Sequence, residues 1–401
     1  MTNPIDLTVK LGPLTLRNPF IVGSGPTVRT VDQVRAAEDA GWAGVSLKLT
    51  IGPEPYLSLP PRYRWLARQR MHIFTAEKRL APVEGLRLME QASHAAKGMA
   101  IFANISHDGP DLEGWRRLAK RFEDAGAHAI ELNMCCPNMS FNLTATGERT
   151  AKATGASLGG QVEGLPEVVA AVVSSVGVPV VVKLTPEGGR IADAAQACWN
   201  AGASAVGSAA NRLGIPDIDI RDPRGTIYRL QENMTIGCLS GPWIRPLALR
   251  DTYEMRQRLG PGPFVVGSGG VSDLPSAVQQ IMAGASAVWI CTATMLKGFS
   301  WMATLIEELR AYMTEMGWSR IEEFRGLLLQ NIRSAGDLVI HNGYAMVDPG
   351  ACTGCGRCWE LGHCCAISHV DGRTAIDAAR CTGCSTCVDV CGKKAISMRE
   401  A

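Results

Sequence analysis

Short apolar runs, rich in β-branched and small residues, recur along the chain with longer stretches of helical polar-apolar period between them. The runs are FIVGSG (20–25), GVSLKLT (44–50), AIFANIS (100–106), AIELNMC (129–135), VPVVVKLTP (178–186), SAVGSAAN (204–211), FVVGSGGV (264–271) and AVWICTA (287–293). Among the intervening stretches, VDQVRAAEDAG, LEGWRRLAKRFEDAG and DAAQACWNAG each close on a glycine suited to a helix C-cap. Strand-helix alternation predicts a parallel sheet, and eight such units predict an α/β fold closed as a (β/α)8 TIM barrel. An open doubly wound sheet is the competing arrangement. Ahead of the first unit, LTVKLGPLTLRNPF (7–20) reads as a hairpin turning at Gly12-Pro13, placed to plug the barrel bottom.

Two regions interrupt the repeat: residues 51–99, and the Thr-, Gly- and Ala-rich residues 138–163, which read as a loop over the barrel mouth. A barrel of this kind places its chemistry at the C-terminal strand ends. The residues there are Lys48, Thr50, Asn104, the segment from Asn133 to Asn138, Lys183, Asn211, Gly269-Gly270 and Cys291-Thr292. They amount to two lysines, several amides and a glycine pair. The seventh run holds GSGG (267–270) and Thr292 closes the eighth, where this fold commonly receives a phosphate on bare backbone N–H groups. A plain tight turn explains the glycines equally well in isolation.

Length and charge narrow the class. At 401 residues the chain suits one large and one small domain, set here as 1–340 and 341–401. The net charge is +2 with dispersed basic residues, which leaves no footprint for nucleic acid. The longest apolar stretch, VVAAVVSSVGVPVVVKL, is broken by Ser-Ser, Gly and Pro, so no membrane span is expected. MTNPIDLTVK has no signal-peptide pattern, and a cytoplasmic location is expected.

Nine of the fourteen cysteines crowd into residues 352–391. From 352 the chain runs CTGCGRCWELGHCCAI and from 381 CTGCSTCVDVCGKKAI; both open C-x2-C-x2-C, and the second adds the x3-C of bacterial ferredoxins. Thiolates at this spacing wrap cubane clusters whose fourth ligand comes from the other repeat. Cys352, Cys355, Cys358 and Cys391 are therefore assigned to one [4Fe-4S] cluster, and Cys381, Cys384 and Cys387 to a second. Either Cys364 or Cys365 completes the second, because the first repeat departs from the x3 spacing. A four-cysteine zinc site is the alternative. Clusters pass single electrons, and flavin is the cofactor that accepts them singly and releases a hydride.

The ordered set Lys48, ELNMCCPN (131–138), KLTP (183–186), LSGP (239–242) and GSGG (267–270), ahead of a two-cluster tail, resembles the FMN and iron-sulfur subunit of bacterial NAD-dependent dihydropyrimidine dehydrogenases. More distantly it resembles the dihydroorotate dehydrogenases. The resemblance implies FMN in the barrel mouth. Gly23, Ser24 and Gly25 would pass beneath its ring system, with Lys48, Asn104 and Lys183 beside it. Ser240, Gly241, Gly269, Gly270, Cys291 and Thr292 would reach its ribityl chain and phosphate. It also implies that Cys136 is the catalytic proton donor to the substrate, with Cys135 in a packing position. Asn133, Asn138 and Asn211 would bind the substrate. Reducing an electron-poor C=C bond needs a hydride at one carbon and a proton at the next, and a thiol in a dry pocket meets the second requirement.

The chain departs from that family at two places. The expected Asn-Thr pair after the sixth strand reads Ala210-Asn211, and a substrate asparagine past the third strand has no counterpart in SHDGPDLEGW (106–115). The substrate is thus uracil, thymine or another unsaturated ring. No Gly-x-Gly-x-x-Gly with a following acid appears, so a separate NAD(P)H-oxidising flavoprotein reductase is the expected electron donor, in an oligomeric assembly. The rival readings are an ene-reductase on a non-pyrimidine, a dihydroorotate dehydrogenase, and an electron-transfer subunit with a vestigial barrel.

Overall fold

A computed structural model describes residues 4–53, 58–75, 77–136, 155–160, 162–215 and 217–401. The chain divides into two compact units between Asn331 and Ile332. No helix among the described residues is long and apolar enough to cross a membrane.

The first unit is a closed barrel. Its strands, in order, are Phe20–Val22, Gly44–Ser46, Ala100–Ser106, Ala129–Met134, Val180–Leu184, Ala205–Ser208, Phe264–Ser268 and Ala287–Ile290. Each pairs in parallel with the next, and the eighth pairs with the first through Val288 opposite Phe20, so the sheet has no free edge. Closure excludes the open doubly wound sheet. Three of the helices between strands begin on a side-chain cap. Thr30 forms a capping box with Gln33 ahead of Val31–Asp39, Asp111 caps Leu112–Asp124, and Asp273 caps Leu274–Met282. On Leu112–Asp124 the buried Trp115, Leu118, Ala119 and Phe122 form one stripe facing the sheet. The hairpin Val9–Leu11/Leu14–Leu16 buries Val9, Leu11 and Leu16, and its turn at Gly12 meets Pro179, just ahead of the fifth strand. It closes the N-terminal end of the barrel.

Three features differ from the pattern of apolar runs. Most strands stop several residues before their runs do, leaving Cys135, Ala209 to Asn211, Gly269 to Val271 and Cys291 to Ala293 outside the sheet. These residues form the mouth. The second run is broken after Ser46, because the Lys48 N–H turns away to the Val28 carbonyl while Leu49 and Ile51 exchange bonds with Leu80; pairing with the third strand resumes at Thr50–Ile51. The break turns Lys48 inward. Third, the interrupting segments build a second sheet at the mouth, antiparallel in the order Arg212–Gly214, Gly237–Ser240, Met71–Phe74, Tyr63–Leu66. Segment 138–163 lies largely outside the described residues; within it the short helix Ala156–Gly159 packs on the end of the fourth strand.

The second unit pairs Gly343–Val347 with Ile396–Glu400 and Ile367–Val370 with Arg373–Ile376, and carries the short helix Thr386–Val390. Ala345, Cys358, Cys387 and Ile396 are its buried centre, with Cys381 and Cys391 packed against them. So small a core suits a unit whose thiols bind a cofactor.

Candidate active site

At the C-terminal end of the barrel a cavity of about 260 Å³ is walled by Gly23, Ser24, Gly25, Lys183, Ser240, Gly241, Gly269, Gly270, Cys291 and Thr292, together with Tyr63, Trp65, His72 and Phe74 of the mouth hairpin. A smaller cavity of about 70 Å³ shares Ser24, Phe74, Glu77, Lys183, Ala209 and Asn211 with it and is otherwise lined by Lys48, Leu49, Arg79, Asn133, Cys135, Cys136 and Cys238. The two form one crevice. Eleven of the sequence-named residues, Asn211 among them, therefore meet in the larger part, and Lys48, Asn133 and Cys136 join Asn211 in the smaller.

The larger cavity has the shape of a cradle. A Cβ on Gly25 would lie 2.4 Å from Cys291 Sγ, so only glycine leaves that floor open. Gly269 and Gly270 both have positive φ, at 93° and 74°, and Cβ atoms there would meet Ala210 Cβ at 2.3 Å and Arg245 Cα at 2.8 Å. Consecutive left-handed residues present backbone N–H groups of the kind that receive a phosphate. Thr292 donates to Ser240 Oγ at 3.1 Å, and His72 Nδ1 lies 3.3 Å from the same oxygen. Burial pushes the His72 imidazole down to about 4, so it is neutral at pH 7.

The smaller cavity is organised by charges that sequence patterning did not pick out. Glu77, buried, accepts from Lys48 Nζ, from Arg79 Nη1 at 3.3 Å and from Tyr63 Oη at 2.5 Å. Burial opposes its charge, but Lys48 and Arg79 hold the carboxyl down at about 2. Burial draws Lys48 below its ordinary range despite Glu77. Arg79 Nη2 donates to Cys136 Sγ at 2.9 Å; burial opposes this charge too, and Cys136 and Glu77 outweigh it. On the other side Lys183 pairs with buried Glu131 at 3.4 Å, and Glu131 also takes a bond from Ser46 Oγ. Burial would neutralise Lys183, but Glu131 keeps it charged.

Asn133 lines the small cavity and also holds the turn that follows it. Its Oδ1 accepts from the backbone N–H groups of Cys135 and Cys136 at 3.4 and 3.1 Å and from Cys135 Sγ at 3.3 Å, while its Nδ2 donates to Asn104 Oδ1 at 3.0 Å. It fixes the cysteine turn and keeps one N–H for the cavity. Asn104 stands behind it, off both cavity walls. Cys135 is buried, and burial pushes its thiol up to about 12. Ala210 is fully buried in a left-handed conformation, while Asn211 lines both cavities. Asn138 lies outside the described residues. Signals for the missed residues do exist in sequence: Glu131 is an acid within the apolar run AIELNM, and Glu77 and Arg79 are charges within TAEKRLAP.

Two strongly depressed groups contribute to the acid sensitivity of the barrel. The folded-state values of His72 (about 4, from 6.5) and Glu77 (about 2, from 4.5) lie below the ordinary ones, so the unfolded chain binds more protons at acidic pH and stability falls with pH. The His72 contribution is complete above pH 6.5 and is lost as pH falls through 4; that of Glu77 is complete above pH 4.5 and is lost through 2. Between pH 7 and 5 His72 lowers stability by about 2 kcal/mol, and His107 and His128, which burial also holds below the ordinary imidazole value, act in the same direction. Urea midpoints at the two pH values, compared with those of His72→Phe, should show that difference shrinking in the variant.

In the second unit Cys364, Cys365, Cys381, Cys384 and Cys387 surround a cavity of about 70 Å³. Among the described residues no three His, Cys, Asp or Glu side chains converge tightly enough for a single ion. Backbone N–H groups already point at sulfur, Ala345 N–H at Cys381 and Ala395 N–H at Cys391, in the manner of donors around a thiolate cluster. Hydrogen bonding from His363, 3.4 Å away, brings the Cys384 thiol down to about 6.

The family model described as dihydroorotate dehydrogenase matches residues 6–313, and that of a 4Fe-4S binding domain matches 374–397, which include Cys381, Cys384, Cys387 and Cys391. The NAD-dependent dihydropyrimidine dehydrogenase subunit PreA of Escherichia coli is 27% identical, over 88% of this chain and 84% of its own length. The chloroplastic dihydropyrimidine dehydrogenase (NADP(+)) of Arabidopsis thaliana is 27% identical over 83% of this chain and 79% of its own. The catalytic subunit of dihydroorotate dehydrogenase B (NAD(+)) of Pyrococcus furiosus is 32% identical over 80% of this chain and 99% of its own.

Proposed function

The chain belongs to the dihydroorotate dehydrogenase family, and from that premise we propose that it reduces, or in reverse forms, the C=C bond of an unsaturated ring, as a flavin and iron-sulfur oxidoreductase acting on CH–CH bonds. The observation that carries this reading is the position of Cys136. Its sulfur borders the small cavity, which opens through Ser24, Lys183 and Asn211 onto the glycine-floored one. A planar ring in the small cavity would lie between the thiol and a flavin in the large one.

The residues fit FMN. Gly25 leaves the floor free, and Gly269, Gly270 and Thr292 would hold the phosphate. Lys183, kept cationic by Glu131, would face the electron-rich edge of the reduced ring system. When bound, the flavin supplies a hydride and takes up electrons singly from the clusters. Asn133 holds Cys136 at the cavity, the mouth hairpin with Trp65, His72 and Phe74 keeps water out, and Cys136 delivers the proton to the carbon next to the one that receives the hydride. Photoreduced protein mixed with a panel of unsaturated rings tests the reading: flavin reoxidation by at least one ring is expected, and none across the panel would overturn it.

Dihydroorotate dehydrogenation is the second reading. The Pyrococcus alignment takes 99% of that subunit and leaves about a fifth of this chain unmatched, whereas the dihydropyrimidine relative covers 88% of it. With the matched 4Fe-4S domain, that favours a cluster-fed enzyme. A partner flavoprotein that oxidises NAD(P)H would supply the electrons.

Two cubane clusters are proposed, the first on Cys352, Cys355, Cys358 and Cys391. For the second, the half-buried Cys364 is the better fourth ligand to Cys381, Cys384 and Cys387. Burial raises the affinity of Cys387 for a proton, and the thiols of Cys364, Cys381 and Cys384 raise it further; Cys365 is exposed. Anaerobically purified protein should carry about eight irons. Cys364→Ala should lose about half of them and Cys365→Ala almost none, as read by iron analysis and low-temperature EPR. The reverse order assigns the ligand to Cys365.

A further inference from the structure

We propose that Arg79 is a second catalytic group: one guanidinium, anchored on Glu77, donates to the sulfur of Cys136 and meets the negative charge left there when the thiol gives up its proton. The inference rests on the reading of Cys136 as the proton donor. Arg79 is buried and forks between two partners, Nη1 to Glu77 at 3.3 Å and Nη2 to Cys136 Sγ at 2.9 Å. Glu77 is itself fixed by Lys48 and Tyr63, so the guanidinium cannot swing away without breaking an ion pair in a dry site.

The chemistry of the step gives this contact its use. The S–H bond breaks, its electron pair stays on sulfur, and the proton forms a C–H bond with the electron pair that hydride addition pushes onto the neighbouring substrate carbon. A neutral thiol becomes a thiolate in a pocket with little water. The neighbouring thiol shows what burial does without a donor on sulfur: Cys135, one residue away and donating to Asn133, is pushed by burial up to about 12, even though the Lys183 and Arg79 charges pull the other way. Cys136 differs in having a fixed cation on its sulfur. Lys48, also in the cavity, is taken up by Glu77, and Lys183 by Glu131. A charge-assisted bond from a planar fork needs no reorganisation as the charge develops. In the reverse direction the same contact holds the thiolate ready to remove the proton.

The test measures the sulfur apart from turnover. Flavin-loaded protein is treated anaerobically with iodoacetamide at one pH, and alkylation of Cys136 is followed by peptide mass spectrometry in wild type, Arg79→Gln and Arg79→Lys. Removing a charge-assisted bond should slow alkylation of Cys136 on the order of tenfold or more in Arg79→Gln. A several-fold slowing is expected in Arg79→Lys, which keeps the charge but cannot span Glu77 and sulfur together. Reoxidation of the reduced flavin by a ring substrate should slow in the same order and gain a solvent deuterium isotope effect, while flavin reduction by dithionite stays unchanged. If Arg79→Gln does not retain flavin, Arg79→Lys decides alone. Alkylation within about twofold of wild type in whichever variant retains flavin overturns the proposal. The alkylation arm needs no substrate: failure of every ring with slowed alkylation refutes the assigned reaction and leaves the Arg79–Cys136 contact standing.

Discussion

Cys136→Ala should stop substrate reduction while leaving the flavin spectrum and its reduction by an artificial donor as they are in wild type. The sulfur borders the small cavity and contributes nothing to the glycine floor of the large one. Removing it deletes the proton and not the hydride. Positioned general acids contribute on the order of 10²–10⁴ in rate, so single-turnover reoxidation of the reduced flavin by substrate should slow by about that factor. Asn133 bonds the backbone N–H of Cys136, and the alanine variant keeps that bond, so the turn should persist. Cys135→Ser should cost little, since a hydroxyl can replace the thiol as donor to Asn133. The opposite pattern, with Cys135→Ser inactive and Cys136→Ala active, would assign the proton to the other cysteine.

The barrel was legible because a strand buried in a closed parallel sheet must be apolar along its length, and eight such runs stand out against amphipathic helices. The mouth sheet was not. YRWL and MHIF are four-residue strands half-covered by aromatic side chains, and their partners 212–214 and 237–240 lie far away in sequence. No local period marks such pairing. The cradle glycines and the two lysines could be placed because barrel geometry fixes which end of each strand carries function. Arg79 and Glu77 sit in an insertion, where no repeat says which way a side chain points; only the fold brings Arg79 within 2.9 Å of a sulfur 57 positions away. Nothing in the sequence marks a second task for Asn133. An amide at a strand end looks free in sequence, and here its oxygen is committed to the cysteine turn.

That commitment bears on the substrate. Uracil and thymine are expected to be poorer substrates than unsaturated rings with a single amide. A pyrimidine-2,4-dione carries two N–H donors and two carbonyl acceptors in one plane, and a dry site must pair most of them. The small cavity offers one remaining N–H of Asn133 and the amide of Asn211 as neutral side-chain partners, beside the charged Lys48, Glu77 and Arg79. Asn211 lines both cavities while Ala210 is buried, so a contact from Asn211 would offset one of the two departures from the family pattern. The other has no such offset: Asn104 is bonded behind Asn133, and no further amide on the described walls replaces the missing one. An unpaired group costs about 1–3 kcal/mol, roughly ten- to a hundredfold in affinity. A ring with one amide avoids that cost. Steady-state kcat/KM for uracil and thymine should therefore fall about ten- to a hundredfold below that of single-amide analogues. Micromolar KM values for both pyrimidines with weaker analogues would overturn this, and would mean that residues outside the described set, Asn138 among them, complete the pairing.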